Sequence, residues 1–277
     1  MTFGARLHAA MDARGPLCAG IDPHPGLLDA WGLTDSVNGL EKFALRAAEA
    51  LGPEVAAVKP QSAFFERFGS RGIAVLERVV HTAQQGGALV VLDVKRGDIG
   101  STAQGYADAY LDPHGPLAAD AITATPYLGF GSLDPMVAAA RTHGKGLFVL
   151  ALTSNPEAPL FQHARTEEGR TVAGTVLAEL ARLNEGALPL GSFGAVVGAT
   201  IRPTDENLAV NGPLLVPGIG AQGGTVDDVR RIFRGVLHHV LPSSSREILA
   251  AGPDAGRLRQ AAHRAADSFR AMRGETG

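Results

Sequence analysis

Short apolar runs alternate with longer amphipathic segments along the chain. The runs are rich in Val, Ile, Leu and Ala, which is typical of parallel strands buried on both faces. The segments between them repeat apolar residues at helical spacing. Strands are therefore predicted at residues 17–21, 55–59, 88–94, 121–125, 146–152, 194–199, 214–218 and 237–241, and helices at 41–51, 72–85, 102–111, 134–142, 172–184 and 226–233.

This order of elements predicts an α/β fold, a (β/α)₈ or TIM barrel that ends in a closing helix at 255–272. The alternative is an open doubly wound sheet, which usually has a Gly-rich nucleotide loop after its first strand. Here the first strand leads to Ile-Asp-Pro-His-Pro instead. No linker or change in composition divides the chain. One domain over residues 1–277 is expected, with a short N-terminal helix.

Composition excludes several classes of partner. The chain has 277 residues and a formal net charge of −3, so no overall basic field attracts nucleic acid. The single cysteine, Cys18, cannot form an internal disulfide. The sequence lacks the long apolar core of a signal peptide and any run suited to span a membrane. A cytoplasmic protein without a membrane partner is expected.

Charged residues collect where two predicted strands end. The run Leu-Val-Val-Leu at 89–92 leads into Asp93, Lys95 and Asp98, and Lys59 ends an earlier run. Strand side chains alternate, so Asp93 and Lys95 point to the same face. Burying such charges is costly unless they pair or take part in chemistry. The sequence therefore predicts a Lys-Asp-Lys-Asp cluster.

Further polar residues are expected at the same end of the barrel, where active sites of this fold lie. Asp22, Thr125 and Ser154 follow or end three other strands. The Gly-rich loop at 217–224 lets backbone N–H groups approach an anion, and Arg246 after the last strand can add a bidentate contact. Since the loops after strands seven and eight are the recurrent phosphate site of the fold, a phosphorylated ligand is predicted.

Other kinds of active site find no support in the sequence. The histidines do not form a metal-ligand spacing with Cys or carboxylates, so no metal is expected. Neither a Ser-His-Asp nor a Cys-His pattern is evident. No cofactor motif is present either.

The motifs at these positions resemble those of a known family. Asp93-x-Lys95-x-x-Asp98-Ile99, with Lys59 before it and Thr102 after it, resembles the signature of the orotidine 5′-phosphate decarboxylases. The loop Pro-Gly-Ile-Gly-Ala-Gln-Gly-Gly is similar to that of the same family. The chain's length, and the stretch Lys-Pro-Gln-Ser-Ala-Phe-Phe-Glu, resemble its longer bacterial branch. Further similar stretches follow in order at 20–23, 58–60, 125–127, 153–154 and 245–246.

The resemblance implies a cofactor-free enzyme that converts orotidine 5′-phosphate to UMP and CO₂. It also implies a homodimer in which Asp98, Ile99 and Thr102 reach the partner's site. Lys95 is then expected to stabilise the carbanion and protonate it, with Asp93 beside the departing carboxylate and Lys59 and Asp98 flanking them. Substrate contacts are expected from Asp22, Ile99, Thr102, Thr125, Ser154, Pro217, Gln222, Gly223, Ser245 and Arg246.

Three alternatives remain open at this point. A related barrel decarboxylates sugar-phosphate keto acids with Mg²⁺, but needs an additional acidic ligand, commonly where this chain has Lys59. A Schiff-base aldolase could use Lys95 or Lys59. A non-catalytic nucleotide-binding barrel would not need a buried proton donor.

Overall fold

The computed structural model describes residues 1–201, 204–220 and 223–274. Its strands form a closed parallel barrel in sequence order, which confirms the predicted architecture. The barrel closes where Cys18 and Ala19 pair with Ser243 and Ser244. The strands are β1 (Cys18–Ile21), β2 (Ala57–Pro60), β3 (Leu89–Arg96), β4 (Ala121–Ala124), β5 (Gly146–Leu152), β6 (Phe193–Val197), β7 (Leu214–Pro217) and β8 (Val240–Ser244).

Helices on the outside of the barrel connect the strands, with short helical turns added in several loops. The helices are α1 (Phe3–Arg14), α2 (Pro25–Ala30), α3 (Val37–Leu51), α4 (Ala63–Glu66), α5 (Gly69–Gln85), α6 (Gly100–Leu111), α7 (Asp134–His143), α8 (Ala158–Gln162), α9 (Val172–Leu183), α10 (Val226–Ile232), α11 (Arg246–Leu249) and α12 (Ala255–Gly274). None of the helices in the described ranges combines the length and apolar character needed to cross a membrane.

Two apolar layers hold the barrel. The larger layer lies between the strands and the outer helices, whereas the smaller one fills the barrel interior. Helix α1 closes the interior from below through Phe3, Leu7 and Met11, and the Phe3 ring meets the Phe148 ring edge to face at 5.9 Å. Cys18 belongs to the interior layer, and burial raises the pKa of its thiol to about 12. The interior is therefore packed at its base and can open only at the C-terminal ends of the strands.

The last strand differs from its predicted position. The sequence predicted it at 237–241, but Leu237–His239 forms a 3₁₀ turn and β8 runs from Val240 to Ser244. The apolar run was misleading because β8 continues beyond it through Pro242 and two serines. These residues pair with β7 and β1 at the mouth of the barrel. Ser243 and Ser244 thus belong to the strand instead of following it.

Candidate active site

A cavity of about 430 Å³ opens at the C-terminal ends of the strands. Most of its lining side chains are charged or polar, and Leu150, Val196 and Leu215 add an apolar part continuous with the interior layer. Such a combination suits a ligand with one flat apolar part and several polar groups. The remaining lining residues are Asp22, His24, Lys59, Gln61, Phe64, Asp93, Lys95, Thr123, Thr153, Pro217, Gly218, Ile219, Ser243, Ser245 and Arg246.

The Asp93 carboxylate is the centre of the polar wall. Its Oδ2 accepts hydrogen bonds from Lys59 Nζ at 2.9 Å and Gln61 Nε2 at 3.2 Å. Its Oδ1 accepts from Lys95 Nζ at 2.6 Å and Thr123 Oγ1 at 2.8 Å. Each carboxylate oxygen therefore has two donors, and the carboxylate has little freedom to rotate.

Charge pairing controls the ionisation of this group. Burial alone raises the pKa of Asp93, but the nearby Lys59 and Lys95 ammonium groups outweigh burial and hold that pKa well below its usual range. Burial lowers the pKa of Lys59, because it disfavours the charged ammonium. The nearby Asp93 and Asp22 carboxylates outweigh burial, so the pKa of Lys59 stands above its usual value. Both groups are therefore ionised at neutral pH.

The two lysines differ in exposure. Lys59 and Asp93 are 7% and 6% exposed and form a buried ion pair. The Lys95 side chain is 45% exposed, although its Nζ also contacts Asp93. Lys95 is thus the ammonium group that a ligand in the cavity can reach.

The backbone of β3 is irregular at this point. Leu92 pairs with Ile122 and Arg96 with Ala124, so four steps along β3 match two along β4. Within this bulge Lys95 adopts a φ of 45°, in the left-handed region that L residues other than Asn and Asp rarely visit. Bulges and strained residues of this kind often redirect side chains at functional sites. Asp93 and Lys95 still share one face, as alternation along the strand predicted.

Two buried polar atoms in the cavity wall lack a hydrogen-bond partner within the described part of the chain. These atoms are Asp22 Oδ1 and Ser245 Oγ. A buried polar group without a partner is costly, and such groups at a cavity commonly meet a ligand or water. Asp22 Oδ1 can therefore accept a hydrogen bond from a ligand hydroxyl, and Ser245 Oγ can donate one to an anionic oxygen.

The Gly-rich loop after β7 contributes Pro217, Gly218 and Ile219 to the cavity. Gly218 and Gly220 have φ of 100° and 72°, and Gly223 has a φ of 87°, so side chains would strain this turn. Thr225 and Asp228 cap the following helix α10 reciprocally, so a carboxylate of the helix itself lies at its N-terminal end. Gln222 lies outside the described residues.

Other predicted residues lie away from the cavity. Ser154 lines a neighbouring cleft of about 250 Å³, formed by the loop after β5 and Thr200. The Thr125 backbone N–H donates to Arg96 O at 2.9 Å, and Thr123, two residues earlier on β4, is the threonine that lines the cavity. A threonine within an apolar run is also an ordinary strand residue, so the sequence did not distinguish Thr123.

Asp98, Ile99 and Thr102 lie at the start of α6 and do not line this cavity. The Asp98 carboxylate accepts a hydrogen bond from the Ile99 backbone N–H at 2.8 Å. Ile99 is 62% exposed, and Thr102 is exposed. Lys59, Asp93 and Lys95 thus meet within one chain as predicted. The fourth residue of the predicted cluster, Asp98, lies outside the cavity of its own chain.

Cavity residues in the loops after β1 and β2 were not predicted from the sequence. Gln61 donates to Asp93, and the His24 and Phe64 rings contact each other with centroids 4.2 Å apart. Gln61 could have been noticed because it follows Lys59 by two residues. Among the described residues, no three His, Cys, Asp or Glu side chains are grouped to hold a metal ion.

Several proteins with similar sequences or structures are named orotidine 5′-phosphate decarboxylase. A curated Nocardioides sp. protein named orotidine 5′-phosphate decarboxylase is 70% identical over 250 residues, which cover 89% of this chain and 91% of that relative. A protein of the same name from Salinispora tropica is 61% identical over 271 residues, or 98% of each chain. A Streptomyces avermitilis crystal structure, provisionally assigned the same activity, has a TM-score of 0.95 and 58% identity, covering 98% of this chain and 95% of that one.

The family model described as orotidine 5′-phosphate decarboxylase / HUMPS family matches residues 15–261, which is most of the chain. The matched part includes every strand of the barrel and all the cavity residues described above. This chain therefore belongs to the orotidine 5′-phosphate decarboxylase / HUMPS family.

Proposed function

We propose that this protein is an orotidine 5′-phosphate decarboxylase, which converts orotidine 5′-phosphate to UMP and CO₂ in pyrimidine synthesis without a cofactor. The observation that carries the proposal is the Lys59–Asp93–Lys95 array at the open end of the barrel. Family membership and the names of its relatives agree with this activity.

In the proposed reaction the C6–carboxylate bond breaks and its electron pair remains on C6. Lys95 then stabilises this charge with its ammonium group and transfers a proton to C6. Its partial exposure to the cavity and its 2.6 Å contact with Asp93 suit both steps, since the ammonium is accessible and fixed. No electron sink is needed if this electrostatic stabilisation supplies a large part of the roughly 8–23 kcal/mol by which enzymes lower barriers.

Asp93 has two roles in this proposal. It orients Lys95, and its negative charge lies beside the substrate carboxylate before CO₂ leaves. The repulsion diminishes as the carboxylate becomes neutral CO₂, so it disfavours the bound substrate more than the transition state. Because the pKa of Asp93 is held low, the carboxylate is charged throughout the neutral pH range.

The other substrate contacts are assigned from the motifs that resemble those of the family, and several of these residues also line the cavity. Lys59 and Asp22 contact the ribose hydroxyl groups, and Asp22 Oδ1 has no partner within the described residues. Arg246 contacts the phosphate, with the loop after β7 supplying backbone N–H groups. Ser154 is assigned to the pyrimidine edge and Gln222 to the phosphate. Thr125, Pro217, Gly223 and Ser245 are assigned to substrate binding as a whole.

A homodimer is part of the proposal, with Asp98, Ile99 and Thr102 completing the partner's site. Large apolar side chains are exposed at the same end of the barrel, among them Ile99, Tyr127 and Phe161. The rings of Tyr127 and Phe161 also contact each other, at 5.3 Å. Such a patch is suited to a protein interface. A single domain over residues 1–277 and a cytoplasmic location complete the proposal.

The interface can be tested by mixing inactive subunits. If sites are shared, unfolding and refolding Lys95→Ala together with Asp98→Ala chains regenerates activity, because each mixed dimer contains one site with neither change. Each variant refolded alone is the control. Absence of any recovered activity, with mixed dimers demonstrated by differential tags, would contradict shared sites.

The activity itself is tested by following the loss of orotidine 5′-phosphate absorbance with purified protein. Decarboxylation is expected to proceed at the same rate with and without a chelator. A rate that depends on added Mg²⁺ would instead favour the metal-dependent alternative, for which the end of β2 offers an ammonium group rather than an acidic ligand. Covalent trapping by borohydride would indicate a Schiff base, and no turnover at all would refute the proposal.

A further inference from the structure

One hydroxyl in the cavity wall connects the backbone of Lys95 to the carboxylate of Asp93. Thr123 Oγ1 accepts a hydrogen bond from the Lys95 N–H at 2.9 Å and lies 2.8 Å from Asp93 Oδ1, to which it donates. Lys95 Nζ donates to the same Asp93 oxygen at 2.6 Å. The three residues therefore form a closed ring of hydrogen bonds that begins and ends at Lys95.

The directions of these hydrogen bonds are fixed by chemistry. A backbone N–H can only donate, so the hydroxyl oxygen accepts from Lys95. The single hydroxyl hydrogen then remains for Asp93, whose ionised carboxylate can only accept. A valine at this position would fill nearly the same volume but could make neither hydrogen bond.

The ring includes the irregular part of β3. Lys95 lies in the bulge with a φ of 45°, and its N–H bonds to a side chain of β4 rather than to the strand's backbone. A strained conformation persists only where its surroundings fix it. The Thr123 hydroxyl supplies one such constraint, at the residue whose ammonium must be placed accurately.

We propose that Thr123 is a positioning residue for this active site: its hydroxyl fixes the Lys95 backbone and the orientation of the Asp93 carboxylate together. The proposal rests on the proposed decarboxylase function. Since Thr123 is assigned no contact with the phosphate or the ribose, its hydroxyl acts on the chemical step rather than on substrate binding. Small displacements of a group that acts at the reacting carbon are costly in rate.

A purely structural role for Thr123 predicts different behaviour. The side chain is 1% exposed and could serve only to fill the barrel wall. In that case Thr123→Val would keep activity, because shape and volume are conserved, and Thr123→Ser would lose some through the missing methyl group. The positioning role predicts the opposite order.

The experiment measures kcat and KM for orotidine 5′-phosphate in the wild type, Thr123→Val and Thr123→Ser. Thr123→Val removes a hydrogen bond to a charged group, and we expect this loss to lower kcat by about 10- to 100-fold. We expect KM to change by less than about threefold, because the lost interaction acts in the transition state. Thr123→Ser is expected to recover most of the lost kcat.

Thr175→Val is the matched control. The Thr175 hydroxyl donates to Thr171 O at 2.9 Å at the start of α9, outside the cavity, and its loss should leave kcat unchanged. If Thr123→Val does not fold, Thr123→Ala is compared with Thr123→Ser, and the hydroxyl-bearing variant is again expected to be faster.

Each outcome decides the matter. The inference is overturned if Thr123→Val keeps kcat within about twofold of the wild type. It is also overturned if Thr123→Ser is as slow as the variant without a hydroxyl, or if KM rises while kcat is unchanged. An inactive wild type would refute the proposed function instead, so the two failures are distinguishable.

Discussion

Replacing Asp93 with asparagine is the most direct test of the charge arrangement in the barrel. The substitution leaves the Lys59 ammonium buried without its adjacent anion. It also places the N–H donors of the new amide opposite the groups that now donate to the Asp93 carboxylate. Because each carboxylate oxygen accepts two hydrogen bonds, the amide nitrogen in either orientation faces two donors. We therefore expect Asp93→Asn to destabilise the protein as well as to abolish turnover.

The size of the effect follows from burial. Removing one partner of a buried ion pair typically costs about 3–5 kcal/mol of unfolding free energy. Asp22 also acts on Lys59, so we expect a loss of about 3 kcal/mol, in the lower part of that range. Adding Lys59→Met to Asp93→Asn removes the unpaired charge and is expected to restore much of the stability. Lys95→Met should cost no more than about 1 kcal/mol, because that side chain is 45% exposed.

Urea unfolding can measure these changes through the one tryptophan of the chain. Trp31 is 6% exposed and packs against Phe43 with ring centroids 4.1 Å apart, so its fluorescence should change on unfolding. Arg67→Met, which removes the exposed ion pair with Asp35, is the control and should shift stability by less than about 1 kcal/mol.

Two results would refute the reasoning. One is an Asp93→Asn protein within about 0.5 kcal/mol of the wild type, the usual range for surface changes. The other is a double variant with Lys59→Met that is no more stable than Asp93→Asn alone. Either result would mean that Lys59 gains little from Asp93 and that the buried pair is not a structural unit.

Three further predictions concern the same site. Lys95→Ala should lower kcat by about 10⁴-fold or more, since general acid and electrostatic catalysis are both lost, while UMP binding measured by calorimetry persists. Weakened binding of UMP in parallel with kcat would argue against this. Arg246→Ala should raise the dissociation constant of UMP by about 10- to 100-fold and leave uridine binding unchanged, whereas equal losses for both ligands would exclude a phosphate role. The pKa of Asp93 is depressed on folding and that of Lys59 is raised. The stabilising contribution of Asp93 should thus be complete above its unfolded pKa of about 3.9 and decrease at lower pH. The contribution of Lys59 should be complete below its unfolded pKa of about 10.4 and decrease at higher pH. Urea midpoints against pH should show this plateau, and an Asp93→Asn protein with an unchanged acid limb would contradict it.

The barrel itself was predictable because its strands are buried on both faces. Such strands appear in the sequence as apolar runs, and seven of the eight lie within a few residues of the predicted ranges. The eighth was misplaced because residues 240–244 end in polar residues at the barrel mouth. Short helices such as Pro25–Ala30 and Ala158–Gln162 were not predicted, since a helix of one or two turns has too few residues to display periodicity.

The site was predictable in part for a similar reason. Charges at the ends of apolar strands are conspicuous, and alternation correctly placed Asp93 and Lys95 on one face. The choice between Thr123 and Thr125 was not predictable in this way, because both have the same parity on β4. The bulge in β3 and the stagger of neighbouring strands decide which threonine reaches Asp93, and neither feature leaves a periodic signal in the sequence.

Charge balance connects the stability of the site to its proposed chemistry. Lys59, Lys95, Asp22 and Asp93 together carry no formal net charge, so the barrel can bury Lys59 and Asp93 beside the other two without a strong uncompensated field. A substrate carboxylate placed beside Asp93 adds one negative charge to this balanced set. Loss of CO₂ moves that charge onto C6, next to the exposed Lys95 ammonium, and proton transfer then removes it. In the proposed mechanism this arrangement is unfavourable for the bound carboxylate and more favourable for the carbanion, and we infer that the difference contributes to the rate.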